Sequence, residues 1–341
     1  MKNKKIKFIA NIVLVLICIG LVIFVLRGYL GEITKAVFQT NPFIFVVVLG
    51  LGMIYQLLEG ENIKLLVSPL QSDFRLREGV WGSGTVAFFR VISFGAMTFL
   101  SEVFYYNKKE IEPSKSVGLT VLRLLFYKVS LFIFGIACLL MEFLQLKRDN
   151  FKFVPAILTG LLITAIIIIV LLLFSMNLTI QAQVMWWIQK IIRNPKLREK
   201  IDRLNLAIFS LREVMEMILK DKSLFMSVFF YNCVKLAVWY SIPFITFLGQ
   251  KNNSFFLTFS LVSFAVVLAG VIPTPGGIGG FEFVYVLLFK PYFGMAATVA
   301  SLILYRLASY FLPFFIGMFY QLVRQQKNLK KEYRQIKKSP N

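Results

Sequence analysis

Hydrophobic residues in this chain come in long, nearly uninterrupted blocks, without the alternation of a half-buried strand or the narrow stripe of a soluble helix. Stretches near 8–27, 42–58, 117–143, 154–176, 223–248 and 294–322 reach the roughly 17–25 apolar residues with which an α-helix crosses a hydrocarbon layer. Two further stretches, 81–102 and 255–290, are apolar but broken by polar and helix-disrupting residues. The first contains Gly82, Gly84, Arg90, Gly95 and Glu102; the second contains Val271-Ile-Pro-Thr-Pro-Gly-Gly-Ile-Gly-Gly-Phe-Glu282. The pattern predicts an all-α polytopic membrane protein with six full spans and two re-entrant or broken-helix elements.

The second broken stretch has a specific chemistry. Pro273 and Pro275 cannot donate backbone hydrogen bonds, and each pushes the residue before it out of the helical region. Opened backbone survives at membrane depth only where it is buried in protein or lines a wet cavity. Gly276, Gly277, Gly279 and Gly280 permit close backbone approach, so with the two prolines they form a candidate gate. A helix starting near Ile278 would aim free N–H groups at an anion, with Glu282 in its first turn.

One segment follows a different period. In 195–221, Leu197, Ile201, Leu204, Ile208, Leu211, Met215 and Ile218 recur at steps of four and three, with Lys, Arg and Glu opposite. Such a helix lies on the interface, packs on its neighbours, or offers a docking surface.

Composition agrees with the spans and adds a sign. Apolar residues make up 58% of the 341, charged residues 16%, and mean hydropathy is +0.74. The net charge of +21 is concentrated at the termini and in selected loops, which points to anionic lipid rather than to nucleic acid. Four Lys precede residue 8, and 321–341 carry seven Lys or Arg against one acid, so both termini are expected in the cytoplasm. Loops 59–80 and 177–222 then fall inside, and 28–41, 144–153 and 249–254 outside. The chain reads as one integral membrane domain, 1–341, with 42–143 and 223–322 as repeat units. The cytoplasmic amphipathic linker 177–222 joins them, and a basic cytoplasmic tail, 323–341, follows.

Absences narrow the chemistry. The chain has no histidine, the commonest general base and metal ligand. Cys18, Cys138 and Cys233 are widely separated in apolar segments and fit neither a disulfide framework nor a zinc site. No P-loop motif is present, and nothing points to a metal or cofactor.

Aligning Glu102 with Glu282 reveals the repeat. Arg123, Tyr127 and Gly135 follow the first glutamate; Arg306, Tyr310 and Gly317 follow the second at nearly the same distances. With opposite entry sides for the two units this is an inverted repeat, whose substrate site is expected between the halves near mid-bilayer.

Ionisable groups inside a bilayer cost at least about 2.5–3.5 kcal/mol each. Five cations fall at that depth, Arg90, Arg123, Lys128, Lys235 and Arg306, against Glu102 and Glu282. Tyr231, Asn232 and Lys235 share one helical face; Arg306, Tyr310, Pro313 and Gly317 share another. One reading pairs Glu102 with Arg123 and Glu282 with Arg306 as structural ion pairs. The other assigns Arg306, Lys235, Arg123, Arg90, Glu282, Glu102, Tyr310 and Asn232 to a lipid headgroup, since surplus cations around a polar cavity suit phosphate.

Pro273 to Glu282, followed by Leu304-Tyr-Arg-Leu-Ala-Ser-Tyr310 and Gly317, resembles the signature of the lysylphosphatidylglycerol synthase transmembrane region. This is the flippase-like membrane part of the multiple peptide resistance factors. Gly95 to Tyr127, with Ser101, Glu102, Lys108, Lys109 and Arg123, resembles that family's earlier block. The resemblance implies movement of aminoacylated phospholipids such as lysylphosphatidylglycerol between leaflets of a bacterial cell membrane, with resistance to cationic peptides. Full-length relatives add a cytosolic acyltransferase domain that the 341 residues do not include. A lysyl-tRNA-dependent phosphatidylglycerol lysyltransferase, alone or with a separate acyltransferase partner, is therefore the alternative. A non-transporting membrane scaffold is a third reading, and a homo-oligomer is compatible with all three.

Overall fold

The computed structural model describes residues 41–149, 153–176, 183, 186–187, 212–272 and 279–337. These are helical with short connections, and no strand occurs among them. Five helical stretches are long and apolar enough to cross a bilayer. The expected sixth span, 8–27, lies outside the described residues.

Helix α1 (Pro42–Val67) starts with proline in its first turn and with Asn41 accepting from the Phe43 amide at 2.9 Å. The apolar run alone predicted an end at 58, and the structure corrects this. Gln56, Glu59 and Asn62 are buried on the same side as Ile63, Leu66 and Val67, so packing against the protein carries the helix through the charged residues.

Helices α2 (Leu76–Ile92) and α3 (Thr98–Asn107) form an antiparallel hairpin, closed at its open end by Tyr105 Oη donating to the Glu78 carbonyl at 2.6 Å. Each is shorter than the roughly 20 residues a crossing needs. The reversal uses positive φ at Phe94 (49°) and Gly95 (88°), which explains the glycine there.

Helix α4 (Pro113–Asp149) follows, and its 37 residues give about 55 Å, more than a bilayer core requires. Residues 144–149, expected in an outer loop, are the end of this helix. Helices α5 (Val154–Met176) and α6 (Lys222–Thr246) lie within two residues of the predicted spans.

The second broken stretch resolves into α7 (Phe255–Ala269) and the start of α8 (Gly280–Arg306). Pro273, Pro275, Gly276 and Gly277 lie outside the described residues. Helix α8 begins two residues after the predicted start, behind Gly279 at φ 89°. Glu282 is in its first turn and accepts from the Gly279 amide at 2.7 Å. The helix bends at Gly294 (φ 75°, ψ 168°), which separates 280–293, the arm antiparallel to α7, from the long descending helix. That helix continues through a π-turn, Leu307–Phe311, into α9 (Leu312–Lys337).

Antiparallel pairs hold the bundle. Tyr55 of α1 lies 5.4 Å from Trp239 of α6, ring to ring. On α2 and α9, Trp81 stacks on Tyr320 (5.2 Å) and Phe88 on Phe314 (5.7 Å). Between these rings Gly84 and Gly317 bring the two backbones into contact; a Cβ on Gly317 would stand 1.9 Å from the Gly84 carbonyl oxygen. Helix α7 packs on α4 and α5, with Val267 against Gly135 and Gly160. Phe43, Leu140, Leu162, Phe230 and Phe319 are exposed on outward faces, as expected of surface that meets acyl chains.

Only 212–220 of the predicted amphipathic segment is described as a helix. Met215 and Ile218 are buried there against Leu119 and Val228, so the apolar face of this piece packs on its neighbours.

Candidate functional site

The reversal of the α2–α3 hairpin and the broken end of α7 face each other across a cavity of about 290 Å³. Arg90 and Thr98 line it from the first, Ala269, Gly270 and Phe281 from the second. Arg123 and Tyr127 of α4 contribute from one side, and Arg306, Ser309 and Tyr310 from the other. The π-turn starts directly after Arg306, and such turns locally change the register of a helix. Here it follows the cationic side chain and contains the two cavity-lining polar residues Ser309 and Tyr310.

Two charge systems border this space. In the first, Arg123 holds Glu102 by two bonds, Nε to Oε1 at 2.7 Å and Nη2 to Oε2. Its Nη1 reaches Oε1 of Glu59, whose Oε2 accepts from Lys235 Nζ. Tyr106 Oη donates to Glu102 Oε1 at 2.9 Å. The order Glu102, Arg123, Glu59, Lys235 links α3, α4, α1 and α6 with two positive and two negative charges, so this network is neutral. In the second, Arg306 Nη2 pairs with Glu282 Oε1 at 2.7 Å across the bend of α8. Its guanidinium also lies 4.6 Å from the Phe281 ring and 5.2 Å from the Tyr310 ring.

Among the described residues, two cations near the cavity have no carboxylate partner. Arg90 stands over the Tyr310 ring at 5.5 Å, and its buried Nε has no hydrogen-bond partner. Lys128 extends to the C-terminal end of α7, where a Cβ on Gly270 would be 3.6 Å from its Nζ. A helix C-terminus carries partial negative charge and suits an ammonium group. The region thus keeps an excess of positive charge after its ion pairs are counted.

The eight predicted headgroup residues divide into three groups. Arg306, Arg123, Arg90 and Tyr310 line one cavity. Glu282 and Glu102 stand behind the arginines they hold. Lys235 is 2% exposed and spent on Glu59, and Asn232 is fully buried with its amide donating to the Val228 carbonyl at 2.9 Å. Neither of these two is on the cavity wall. Of the predicted gate, Gly279 and Gly280 form the start of α8, and the remaining four residues lie outside the described region.

Glu59 is the residue that the sequence reading missed. It follows the predicted end of the first described span and stands in Glu59-Gly60-Glu61, which reads as a surface turn. Its signal was the i, i+3, i+4 spacing of Tyr55, Gln56 and Glu59 in line with Ile63.

The sequence model for the lysylphosphatidylglycerol synthase TM region matches residues 8–317. Comparison with curated proteins found no match.

Proposed function

This chain belongs to the lysylphosphatidylglycerol synthase TM-region family, and from that premise we propose that it is a translocase of anionic or aminoacylated phospholipids in the bacterial plasma membrane, with both termini in the cytoplasm. Family membership makes it a multi-pass, lipid-handling membrane protein; the cavity supports the finer reading.

The observation that carries the proposal is Arg90. A guanidinium at hairpin-tip depth, paired with no carboxylate among the described residues and sharing one wall with Arg123 and Arg306, requires an anion to offset its desolvation. A phosphodiester supplies one, and arginine binds it with a planar fork. At about 290 Å³ the cavity is at the small end of ligand sites, sized for a headgroup whose acyl chains remain in the bilayer. Glu282 and Glu102 hold two arginines in place, and an aminoacyl ammonium would find these carboxylates nearby.

The two-fold design belongs to the same proposal. Units 42–143 and 223–322 each run long helix, short helix, short helix, long helix, and each joins its third and fourth elements by a Glu–Arg pair: Glu102 to Arg123 and Glu282 to Arg306. Pairing of α1 with α6, and of α2 with α9 where α7 meets α4, is what an inverted repeat requires. The hairpins then act as opposed gates around one headgroup site.

Headgroup crossing of labelled phosphatidylglycerol and lysylphosphatidylglycerol in proteoliposomes tests the reading. Crossing above protein-free vesicles, lost in Arg90→Gln, is the expected result. Crossing that survives both Arg90→Gln and Arg306→Ala/Glu282→Ala overturns it. Formation of lysylphosphatidylglycerol from lysyl-tRNA and phosphatidylglycerol by the purified protein would instead favour the transferase.

A further inference from the structure

A second hollow, of about 270 Å³, lies between the end of α3 and the later turns of α9. Lys108, Lys109, Arg324 and Lys327 line it, together with the rings of Tyr105 and Tyr320. Of the four cations only Lys109 has a carboxylate partner, Glu78; among the described residues no ion pair takes up Lys108, Arg324 or Lys327. The carbonyls that end α3 account for cations at Lys108 and Lys109. They do not account for Arg324 and Lys327, which reach the same hollow from another helix.

Three uncompensated cations around one concave space repel each other. Burial, and then the Arg324 charge, hold the Lys108 ammonium below the usual lysine range. The wall itself is fixed: Tyr105 Oη is bonded to the Glu78 carbonyl at 2.6 Å, and Tyr320 is stacked on Trp81 at 5.2 Å. Depth gives the remaining argument. Arg324 lies fourteen residues beyond Tyr310 of the central cavity, about 21 Å along the helix at 1.5 Å per residue. Half of a bilayer with its headgroups is about 20–22 Å thick, so a central cavity near mid-bilayer puts Arg324 at the level of lipid phosphates.

We propose that this hollow is a second, separate phosphate-binding site, for the phosphate of an anionic lipid at the membrane surface or for a soluble phosphate. Arg324 offers the bidentate fork, and Lys108 and Lys327 add point charges. The proposal takes from the reading above only that the central cavity lies near mid-bilayer, so it survives if that cavity moves no lipid.

The test is calorimetric titration of the purified full-length protein in a neutral detergent with dihexanoyl-phosphatidylglycerol, dihexanoyl-phosphatidylcholine and inorganic phosphate. It is run in an Arg90→Gln background to remove the central site. Lys108→Gln/Arg324→Gln/Lys327→Gln is expected to weaken phosphatidylglycerol about tenfold or more. If inorganic phosphate binds as tightly as the lipid, the source is soluble; if only phosphatidylglycerol binds, it is the membrane. Should the triple variant fail to fold, Arg324→Gln alone is expected to weaken binding several-fold and Arg324→Lys to restore part of it. No binding in the Arg90→Gln background, or equal binding before and after loss of Arg324, overturns the proposal.

Discussion

Lys235 Nζ donates to Oε2 of Glu59, joining α6 to α1 across 176 positions of sequence. Both side chains are buried, at 2% and 5% exposure, and Glu59 gives its other oxygen to Arg123. One carboxylate therefore neutralises cations from both halves of the chain. Removing it strands the buried Lys235 and leaves Arg123 with Glu102 alone, one positive charge in excess, and breaking a buried pair typically costs about 3–5 kcal/mol. Glu59→Gln is expected to lower the thermal midpoint in detergent sharply, and Glu59→Gln/Lys235→Met to recover much of the loss. A double-mutant cycle with additive effects would show that the pair is not coupled.

This residue also marks how far the sequence could be read. Broad architecture was legible because long apolar runs have few solutions in a membrane, and the runs at 154–176 and 223–248 end within two residues of α5 and α6. The pairing of Glu102 with Arg123 and of Glu282 with Arg306 was legible too, because a buried charge demands a partner and the repeat supplied matching spacings. Glu59 was not, because hydropathy counting stops at a charge and only tertiary packing shows that the helix continues. Lys235 was expected on the cavity wall for the same reason: without Glu59 it had no partner, so it read as a free cation. The kink at Gly294 and the π-turn after Arg306 depend on packing that no local pattern specifies.

The contact between Gly84 and Gly317 predicts a strict size limit. A methyl on Gly317 would meet the Gly84 carbonyl at 1.9 Å, and relief requires moving backbone rather than rotating a side chain. Gly317→Ala is expected to cost about 1–3 kcal/mol or more by forcing α2 from α9. Gly50→Ala is the control, since nothing lies within 4 Å of its Cβ, and it should be neutral or stabilising. Equal melting of the two variants would rule out the close approach.

Arg90 separates function from stability. It has no carboxylate to orphan among the described residues, so Arg90→Gln should change the melting midpoint little while reducing headgroup crossing about tenfold or more. Arg123→Gln should behave differently, because it strands Glu102, leaves Glu59 with Lys235 alone, and is expected to unfold the protein. Crossing rates and melting curves on the same preparations check both, and a stable Arg123→Gln would refute the neutral-network account.

The open end of the first hairpin gives a pH dependence. Burial pushes the Glu78 carboxyl up, but the bond from Lys109, the Arg75 backbone N–H and the two positive charges outweigh it and hold the group below its ordinary value near 4.5. A carboxyl depressed in the folded state contributes stability that is complete above the unfolded value and lost as pH falls through the folded one. Glu78→Gln removes that contribution, so the gap between wild-type and variant melting midpoints should be constant from pH 7 to about 5.5 and shrink below about 4.5. The pair is partly exposed, so the gap is also expected to narrow in high salt. Melting at pH 7 and pH 4 in low and high salt decides it: a gap that widens on acidification would mean that Glu78 gains nothing from Lys109.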